Sequence, residues 1–387
     1  MTTEPKLQKS ALAVPKPEPD GFAEVVALIA TSQQNAYRAV NTALIDLYWQ
    51  VGEYISRKIE AAEWGAGTVE NLARFIVHSH PGLRGFSRPN LFRMKQFYEA
   101  YRDGAIVSAL PRQLKAGKRD PSSPSAKKVA APPRLLGPVE AGASPIVSAL
   151  LTQLPWTHHL IILGQSKRPE EREFYVRMAT KERWSSRQLE RQFNAALFER
   201  VVLSPPKVSA ALRHIQPDPV DVFRDAYTVE FLGLPREHTE NDLHRALLNR
   251  MKDFLLELGR DFCFIGSEFP VQVGTRDFAL DLLFFHRALN CLVAFELKVQ
   301  RFEPEHLGKL TFYLEALDRD VRKPHEQPSI GVLLCASKED KVVEYALSRT
   351  LSPALIAEYQ TALPDKKLLQ AKLQEFYMQD TREGEAE

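Results

Sequence analysis

The chain has 387 residues, of which 44% are hydrophobic and 26% are charged, as in ordinary globular proteins, and this composition excludes collagen-like and wholly disordered classes. At roughly 150 residues per domain, the length predicts two or three domains. The formal net charge of +2 conceals an asymmetry between the two halves of the chain. Residues 1–213 hold 30 Lys and Arg against 19 Asp and Glu, whereas residues 214–387 hold 21 Lys and Arg against 30 Asp and Glu. This difference predicts two parts with different tasks.

Residues 1–20 are polar and rich in Pro. They lack the apolar core of a secretion signal, so we predict a flexible leader. The chain contains no run of 18 apolar residues, and we therefore expect no membrane partner. Three widely spaced cysteines, Cys263, Cys291 and Cys335, fit neither a zinc knuckle nor a redox pair and are predicted to be buried. This small, odd number of thiols is typical of a reducing cytosol, which predicts a cytoplasmic protein.

Residues 21–104 are predicted to form the first part of a helical N-terminal domain. The stretch from Phe22 to Glu60 contains no Pro and one Gly, with apolar residues three and four apart, which predicts a long helix. Trp64 and Gly65 interrupt the pattern before a second helix. Ser87 is a candidate N-cap for a third helix, because Pro is favoured in a first helical turn and Pro89 follows.

Residues 105–150 are predicted to be a disordered, basic, Pro-rich linker. Positions 111–145 hold seven Pro and seven Lys and Arg against two acids. Such a segment cannot bury enough apolar surface to offset the entropy lost on ordering. It can contact phosphate non-specifically, and a simple solvated insertion is the alternative.

Residues 151–213 are predicted to form the second part of the helical domain, with a helix from Pro169 and another capped by Ser185 or Ser186. The stretch 184–191 echoes residues 86–93, each with a polar turn, a cap and a basic amphipathic helix. This layout resembles a helix-turn-helix unit that presents basic side chains to a nucleic-acid groove. A solvated helix face or partner packing is the alternative. The candidate contacts are Arg84, Arg88, Arg93, Lys95, Arg187, Gln188 and Arg191.

Residues 214–380 are predicted to form an α/β domain, followed by an acidic tail at 381–387. Thr239 and Asp242 have the spacing of a capping box at the start of a helix. Three β-rich runs, a helix, an apolar strand and another helix follow, which predicts a central sheet flanked by helices.

The most informative segment is 277–300, where two apolar strands each contain charged residues. If His286 pairs with Cys291, Asp281 lies opposite Glu296, with about 5 Å between their Cβ atoms. Lys298 shares the face of Glu296 because side chains two apart on a strand point the same way. A shift of one residue in the register would move Asp281 to the other face.

Two neighbouring carboxylates repel each other unless a cation neutralises them. Mg²⁺ or Mn²⁺ with oxygen ligands does so, and the backbone carbonyl of Leu297 is a further candidate ligand. Such a metal activates phosphodiester hydrolysis, and Lys298 is placed to support a water nucleophile. The alternative is a salt bridge, although buried ion pairs are seldom net stabilising.

This D-x(14)-E-x-K arrangement resembles the PD-(D/E)XK nuclease superfamily, and the chain is similar over nearly all of its ordered regions to the YhcG-like nuclease family. The resemblance implies an N-terminal all-α module that binds nucleic acid and a C-terminal restriction-endonuclease-like domain with a central mixed sheet flanked by helices. The segments that carry it include YWQVGEYI at 48–55, PGLRGFSRPNLFRMKQFYEAY at 81–101, WSSRQLERQF at 184–193, DLLFFHR at 281–287 and AFELKVQRFEPEHLGKLTFYLEALD at 294–318.

The resemblance assigns the metal-binding carboxylates to Asp281 and Glu296 and the catalytic lysine to Lys298. The family's Q-x-x-x-Y motif reads here as Lys309 to Tyr313, so Tyr313 matches and Lys309 replaces Gln. His244 stands where an acidic residue is expected on the first helix. Glu240 on the same helix and Glu268 on the strand before Asp281 are, with His244, the additional candidates for the site.

These features together predict a metal-dependent nuclease that acts on DNA, with Mg²⁺ or Mn²⁺ as its cofactor. An RNase, or a catalytically inactive DNA-binding or complex-forming subunit with a degenerate site, remains an alternative. The resemblance also allows a homo-oligomer, since many nucleases of this superfamily dimerise to cut both strands.

Overall fold

The structure, a computed structural model, describes residues 22–65, 67–102 and 150–384. The predicted leader, the predicted linker except Leu150, and residues 385–387 of the predicted tail lie outside these ranges. By its packing the chain divides into two compact units. Of the described residues, those up to Trp156 belong to the first unit and those from Thr157 onward to the second.

The first unit is built on three helices that match the apolar periodicity of the sequence. They are α1 (Phe22–Glu60), α2 (Thr68–Ser79) and α3 (Arg88–Tyr101). Ile55 of α1, Val69 of α2 and Leu91 of α3 are buried in one cluster. Gly52 allows α1 to approach α3 closely, because a Cβ atom at this position would lie 2.1 Å from the carbonyl oxygen of Met94.

The second unit begins with five short helices. The predicted helix after Trp184 is broken at Ala195 and Ala196, and Ala196 has a left-handed φ of 48°. The sequence groups residues 151–213 with the N-terminal helices, and this domain bound stays a prediction; by packing, the chain from Thr157 belongs to the second compact unit. The helices are α4 (Trp156–Gln165), α5 (Pro169–Glu182), α6 (Ser186–Asn194), α7 (Leu197–Leu203) and α8 (Ala210–Ile215).

A six-stranded mixed sheet forms the centre of the second unit, in the order β1-β6-β5-β4-β3-β2. Strands β2, β3 and β4 are antiparallel neighbours, and β4, β5, β6 and β1 are parallel. The strands are β1 (Ala226–Thr228), β2 (Phe262–Val273), β3 (Arg276–His286), β4 (Cys291–Arg301), β5 (Gln327–Ser337) and β6 (Ala354–Gln360).

Helices cover both faces of this sheet, which confirms the predicted fold class. Leu243 and Phe254 pack on one face with Phe295, and Leu310 packs on the other face with Ala294. The helices that follow α8 are α9 (Glu240–Asn249), α10 (Met251–Leu258), α11 (His306–Ala316), α12 (Asp340–Ser348) and α13 (Lys366–Gly384).

Several local predictions differ from the structure. The single helix expected after Thr239 is two helices, α9 and α10, separated at Arg250. Strands β1 and β6 and helix α13 were missed because short or weakly patterned segments form mainly through packing. Cys291 and Cys335 are buried as predicted, but Cys263 is exposed on the edge strand β2. None of the helices among the described residues is both long and apolar enough to cross a membrane.

Candidate active site

The hairpin of β3 and β4 has the predicted register. His286 pairs with Cys291 and Leu282 pairs with Phe295, so the same register places Asp281 opposite Glu296. The carboxylate of Asp281 accepts a hydrogen bond of 2.7 Å from the backbone N–H of Leu297. This bond fixes the Asp281 side chain beside β4 at the point where the ladder between the strands ends.

Glu296 is the most buried charged group of the site, with 0% of the residue exposed. Its Oε1 accepts a hydrogen bond of 2.6 Å from Lys309 and lies 3.2 Å from the ammonium of Lys298. Its Oε2 is buried and has no hydrogen-bond partner among the described residues. Burial raises the pKa of Glu296, and the charge of Asp281 raises it further, whereas Lys309 and Lys298 lower it.

The ammonium of Lys298, on β4, is held by contacts with α9 and with the backbone of its own strand. Its ammonium donates to both carboxylate oxygens of Glu240 at 3.2 Å and to the carbonyl of Leu297 at 2.9 Å. Its side chain is only 16% exposed. Glu240 is therefore the helix carboxylate that reaches the site.

Three further candidates, Asp242, His244 and Glu268, do not bring a carboxylate into contact with Lys298 or Glu296. Asp242 completes the capping box with Thr239, so its carboxylate is used at the helix end. His244 Nε2 lies 3.2 Å from the backbone carbonyl of Asp281, and because a carbonyl only accepts, this nitrogen carries the proton. Glu268 is exposed, with a left-handed φ of 46° in β2, and the contacts just described do not include it.

Helix α11 contributes Lys309 and Tyr313, one turn apart. The hydroxyl of Tyr313 donates a hydrogen bond of 2.8 Å to the carbonyl of Ala279, and burial raises its pKa. Burial alone would lower the pKa of Lys309, but the hydrogen bond and charge of Glu296 raise it. Sequence reasoning missed Ala279, since nothing in the type of this residue marks it as the acceptor that ties α11 to β3.

The oxygen atoms of the site fit a hard divalent cation. The unpartnered Oε2 of Glu296 and the neighbouring Asp281 carboxylate provide oxygen ligands of the kind that Mg²⁺ prefers. The carbonyl of Leu297 accepts from Lys298 and is a weaker candidate. Within residues 22–65, 67–102 and 150–384, no group of three or more His, Cys, Asp and Glu side chains is arranged to hold a metal, so a cation here would depend on two carboxylates.

The predicted nucleic-acid contacts of the first unit lie at and before α3. Arg84 and Arg93 are exposed. Arg88 lies 3.9 Å from Glu70 and over the ring of Phe92. Lys95 forms an ion pair of 2.8 Å with Glu99.

Two of the three nucleic-acid contacts predicted on α6 are engaged within the second unit. Arg187 is exposed, whereas Gln188 forms a capping box with Ser185. Arg191 donates to Glu230, to Glu257 at 2.7 Å and to the carbonyl of Thr228. Its guanidinium thus connects α6 to the sheet-bearing part of the second unit.

Glu257 on α10 is the centre of this second group of charges, which we call the Glu257 cluster (Arg191, Arg200, Thr228, Glu230 and Glu257). Its Oε2 accepts from Arg191, and its Oε1 accepts from the backbone N–H of Thr228 at 3.0 Å and lies 3.9 Å from Arg200. Sequence reasoning missed this cluster, because its members come from α6, α7, α10, β1 and the short 3-10 turn at Glu230–Leu232.

Two known family models match the chain, and the second of them includes residues of both compact units. Residues 220–374 match the model described as "YhcG PDDEXK nuclease domain". Residues 24–118 and 140–200 match the "DUF1016 N-terminal domain". The chain is 32% identical over 357 residues to the Escherichia coli (strain K12) protein named "Putative nuclease YhcG", and the match covers 90% of this chain and 92% of that protein.

Solved structures also resemble part of the chain. A repair endonuclease from Pyrococcus abyssi matches with 17% identity and a TM-score of 0.23, over 33% of this chain and 49% of that chain. A structure titled "Structure of EndoMS-dsDNA2 complex" matches with 18% identity and a TM-score of 0.21, over 30% of this chain and 45% of that chain. These matches span about half the length of the solved chains.

Proposed function

Because this chain belongs to the YhcG family and carries its PD-(D/E)XK nuclease domain, we propose that it is a metal-dependent nuclease that acts on DNA. The observation that carries the proposal is the buried, unpartnered Oε2 of Glu296 beside Asp281. A buried carboxylate oxygen without a partner is costly in a folded protein. A divalent cation would satisfy it and also provide the chemistry that phosphodiester hydrolysis needs.

Each residue of the site has a task in this proposal. Asp281 and Glu296 hold Mg²⁺ or Mn²⁺, which supplies Lewis acidity toward the phosphoryl group when it is bound. Lys298 orients the attacking water or stabilises negative charge in the transition state. Because Glu240 is half exposed, it is the partner that Lys298 can release for that purpose.

The remaining candidates support these groups. His244 holds the backbone of Asp281 through its Nε2–H donor. Tyr313 is a positioning residue that ties α11 to β3 at Ala279. Lys309 is the group on α11 that is available to a phosphate, since its side chain is 47% exposed. Glu268 is left without an assigned role.

The first unit is proposed to bind the nucleic-acid backbone through its exposed basic side chains at Arg84, Arg88 and Arg93, and the exposed Arg187 is the candidate in α6. Contacts between Lys or Arg and phosphate weaken as salt rises, because binding releases counter-ions. We leave Arg191 and Gln188 out of this surface, since both are used inside the second unit. Three free cysteines support a reducing compartment, the cytoplasm.

The direct test uses the purified full chain with plasmid DNA, single-stranded DNA and RNA in parallel. We expect cleavage of DNA in Mg²⁺ or Mn²⁺, none in EDTA, and none with Asp281→Asn. The matched control is Asp340→Asn, which removes a carboxylate paired with Lys207 in the same unit and should cut normally. Cleavage that persists in Asp281→Asn would reject the site, and cleavage of RNA alone would make the protein an RNase.

A second candidate function is a non-catalytic nucleic-acid-binding subunit. It is favoured by the contact of Glu296 with two lysines, whose charges compete with a metal for this carboxylate. Calorimetric titration with Mn²⁺, with and without a DNA duplex, separates the two functions. Mn²⁺ binding that Asp281→Asn abolishes supports the nuclease, and DNA binding without any Mn²⁺ binding supports the subunit.

A further inference from the structure

The ammonium of Lys309 is bound to the same carboxylate that is proposed to hold the metal. It donates to Glu296 Oε1 at 2.6 Å, and it also lies 5.5 Å from the ring centroid of Tyr313. The ammonium therefore places a positive charge directly beside Glu296.

The two lysines that contact Glu296 differ in how firmly they are held. Lys298 has a side chain only 16% exposed, and Glu240 and the Leu297 carbonyl hold it. The Lys309 side chain is 47% exposed, so its flexible stem can carry the ammonium into water at little cost. Of these two lysines, Lys309 is the one that can leave Glu296.

We propose that Lys309 is a displaceable counter-ion, which neutralises Glu296 when no divalent cation is bound and is released when one binds. The inference rests on the proposed function only in that a divalent cation binds at Glu296. Released in this way, the ammonium is available to a phosphate of the nucleic acid. Metal binding and nucleic-acid binding should then favour each other, because coupling between two binding sites is reciprocal.

The charges of the site indicate that Lys309 competes with a divalent cation for Glu296. Asp281, Glu240 and Glu296 carry three negative charges when ionised, and Lys298 and Lys309 carry two positive charges. Removal of the Lys309 charge would leave two net negative charges instead of one. A divalent cation is attracted more strongly to the more negative site, so Lys309 lowers the affinity of the site for metal.

The first experiment measures Mn²⁺ affinity of the full chain by calorimetry. Lys309→Gln should bind Mn²⁺ about tenfold more tightly than the natural protein, the size expected when a charge-assisted hydrogen bond no longer competes. The matched control is Lys207→Gln, since Lys207 is a half-buried lysine in an ion pair of 2.6 Å with Asp340. The control should leave the Mn²⁺ affinity unchanged.

The second experiment follows the ammonium itself. The chain is treated with an amine-acylating reagent with and without Mg²⁺, and modification of each lysine is measured by mass spectrometry. Mg²⁺ should increase the modification of Lys309 several-fold and leave that of Lys207 unchanged. This readout does not depend on catalysis.

The inference would be overturned if Lys309→Gln bound Mn²⁺ as tightly as the natural protein or more weakly. It would also be overturned if Mg²⁺ did not change the modification of Lys309. DNA cleavage by the natural protein together with either result would leave the nuclease proposal standing. Tighter Mn²⁺ binding by Lys309→Gln without DNA cleavage by either protein would support the inference and reject the nuclease proposal. Absence of Mn²⁺ binding in both proteins would reject the inference as well as the proposed metal site.

Discussion

Among the buried glutamates of the second unit, Glu257 and Glu296 each lie beside two cationic side chains. Glu257 meets Arg191 and Arg200, and Glu296 meets Lys298 and Lys309. The difference lies in their oxygens. Both oxygens of Glu257 accept hydrogen bonds, whereas Glu296 has one oxygen without a partner among the described residues.

The cationic partners differ in the same way. Arginine forms fixed, directional hydrogen bonds, while lysine is a flexible point charge. Arg200 is 9% exposed and also donates to the carbonyls of Ala195 and Ala226, so it cannot move away. Lys309 can return to water. The comparison teaches that the two clusters share buried charge, and that the proposed site differs by an incompletely satisfied carboxylate with a movable partner.

Glu296→Gln should have the largest effect of these variants on DNA cleavage, and it should separate Glu296 from Glu257. We expect DNA cleavage to fall by about 1,000-fold, because the lost carboxylate is proposed to hold the metal and stabilise charge in the transition state. The free energy of unfolding should change by less than about 1 kcal/mol, since the half-exposed Lys309 can become solvated. Initial rates on plasmid DNA and urea denaturation measure the two quantities.

Glu315→Gln is the matched control for Glu296→Gln, because it removes a carboxylate on α11 that pairs with Arg319 at the surface. Its cleavage rate should equal that of the natural protein. Full cleavage by Glu296→Gln would contradict the assigned role.

Glu257→Gln should act on stability instead of chemistry. Removing this charge leaves the buried Arg200 without a carboxylate and Arg191 with Glu230 alone, and breaking a buried ion pair costs about 3 kcal/mol or more of unfolding free energy. Urea denaturation followed by circular dichroism measures this loss. Glu230→Gln is the control, because its carboxylate is partly exposed and should cost under about 1 kcal/mol. If Glu257→Gln abolished cleavage without loss of stability, the distinction between the two glutamates would fail.

His286 adds a buried ionisable group at the end of β3, outside both clusters. Burial lowers its pKa from 6.5 to about 4, and its Nδ1 accepts a hydrogen bond from the N–H of Leu289, which protonation would break. Between about pH 6.5 and pH 4 the unfolded chain binds a proton that the folded chain does not. The free energy of unfolding should therefore fall by about 3 kcal/mol as pH decreases through this window.

Urea denaturation at several pH values, with His286→Gln as the reference, measures the His286 contribution. The difference in stability between the natural protein and the variant should depend on pH only within that window. A difference that is constant from pH 7 to pH 4 would contradict the prediction.

Tyr313→Phe should have the smallest effect. It removes the hydrogen bond to Ala279 and leaves that carbonyl without its partner, which costs about 1 kcal/mol of unfolding free energy. Thermal unfolding and cleavage rates measure the change, and a loss of cleavage below about tenfold is expected for a positioning residue. A loss of cleavage rate as large as that of Glu296→Gln would indicate instead that Tyr313 contacts the substrate.

Much of the site could be predicted from the sequence. Charged residues at 281, 296 and 298 interrupt apolar strands, and the assumed pairing of His286 with Cys291 across a four-residue loop is the one in the structure. The alternation of side chains along a strand then decides which residues share a face. The capping box at Thr239 and the long helix α1 were equally readable, because both depend on residues near each other in the chain.

What the sequence determined by itself was therefore local: the main elements and the two neighbouring strands that carry Asp281 and Glu296, whose register the structure then confirmed. The tertiary structure alone decided which side chains from distant segments meet these carboxylates. It brought Glu240 to Lys298, Lys309 to Glu296 and Arg191 to Glu257, across separations of 58, 13 and 66 residues. Such contacts depend on how helices pack on the sheet, and periodicity within one segment carries no information about that packing.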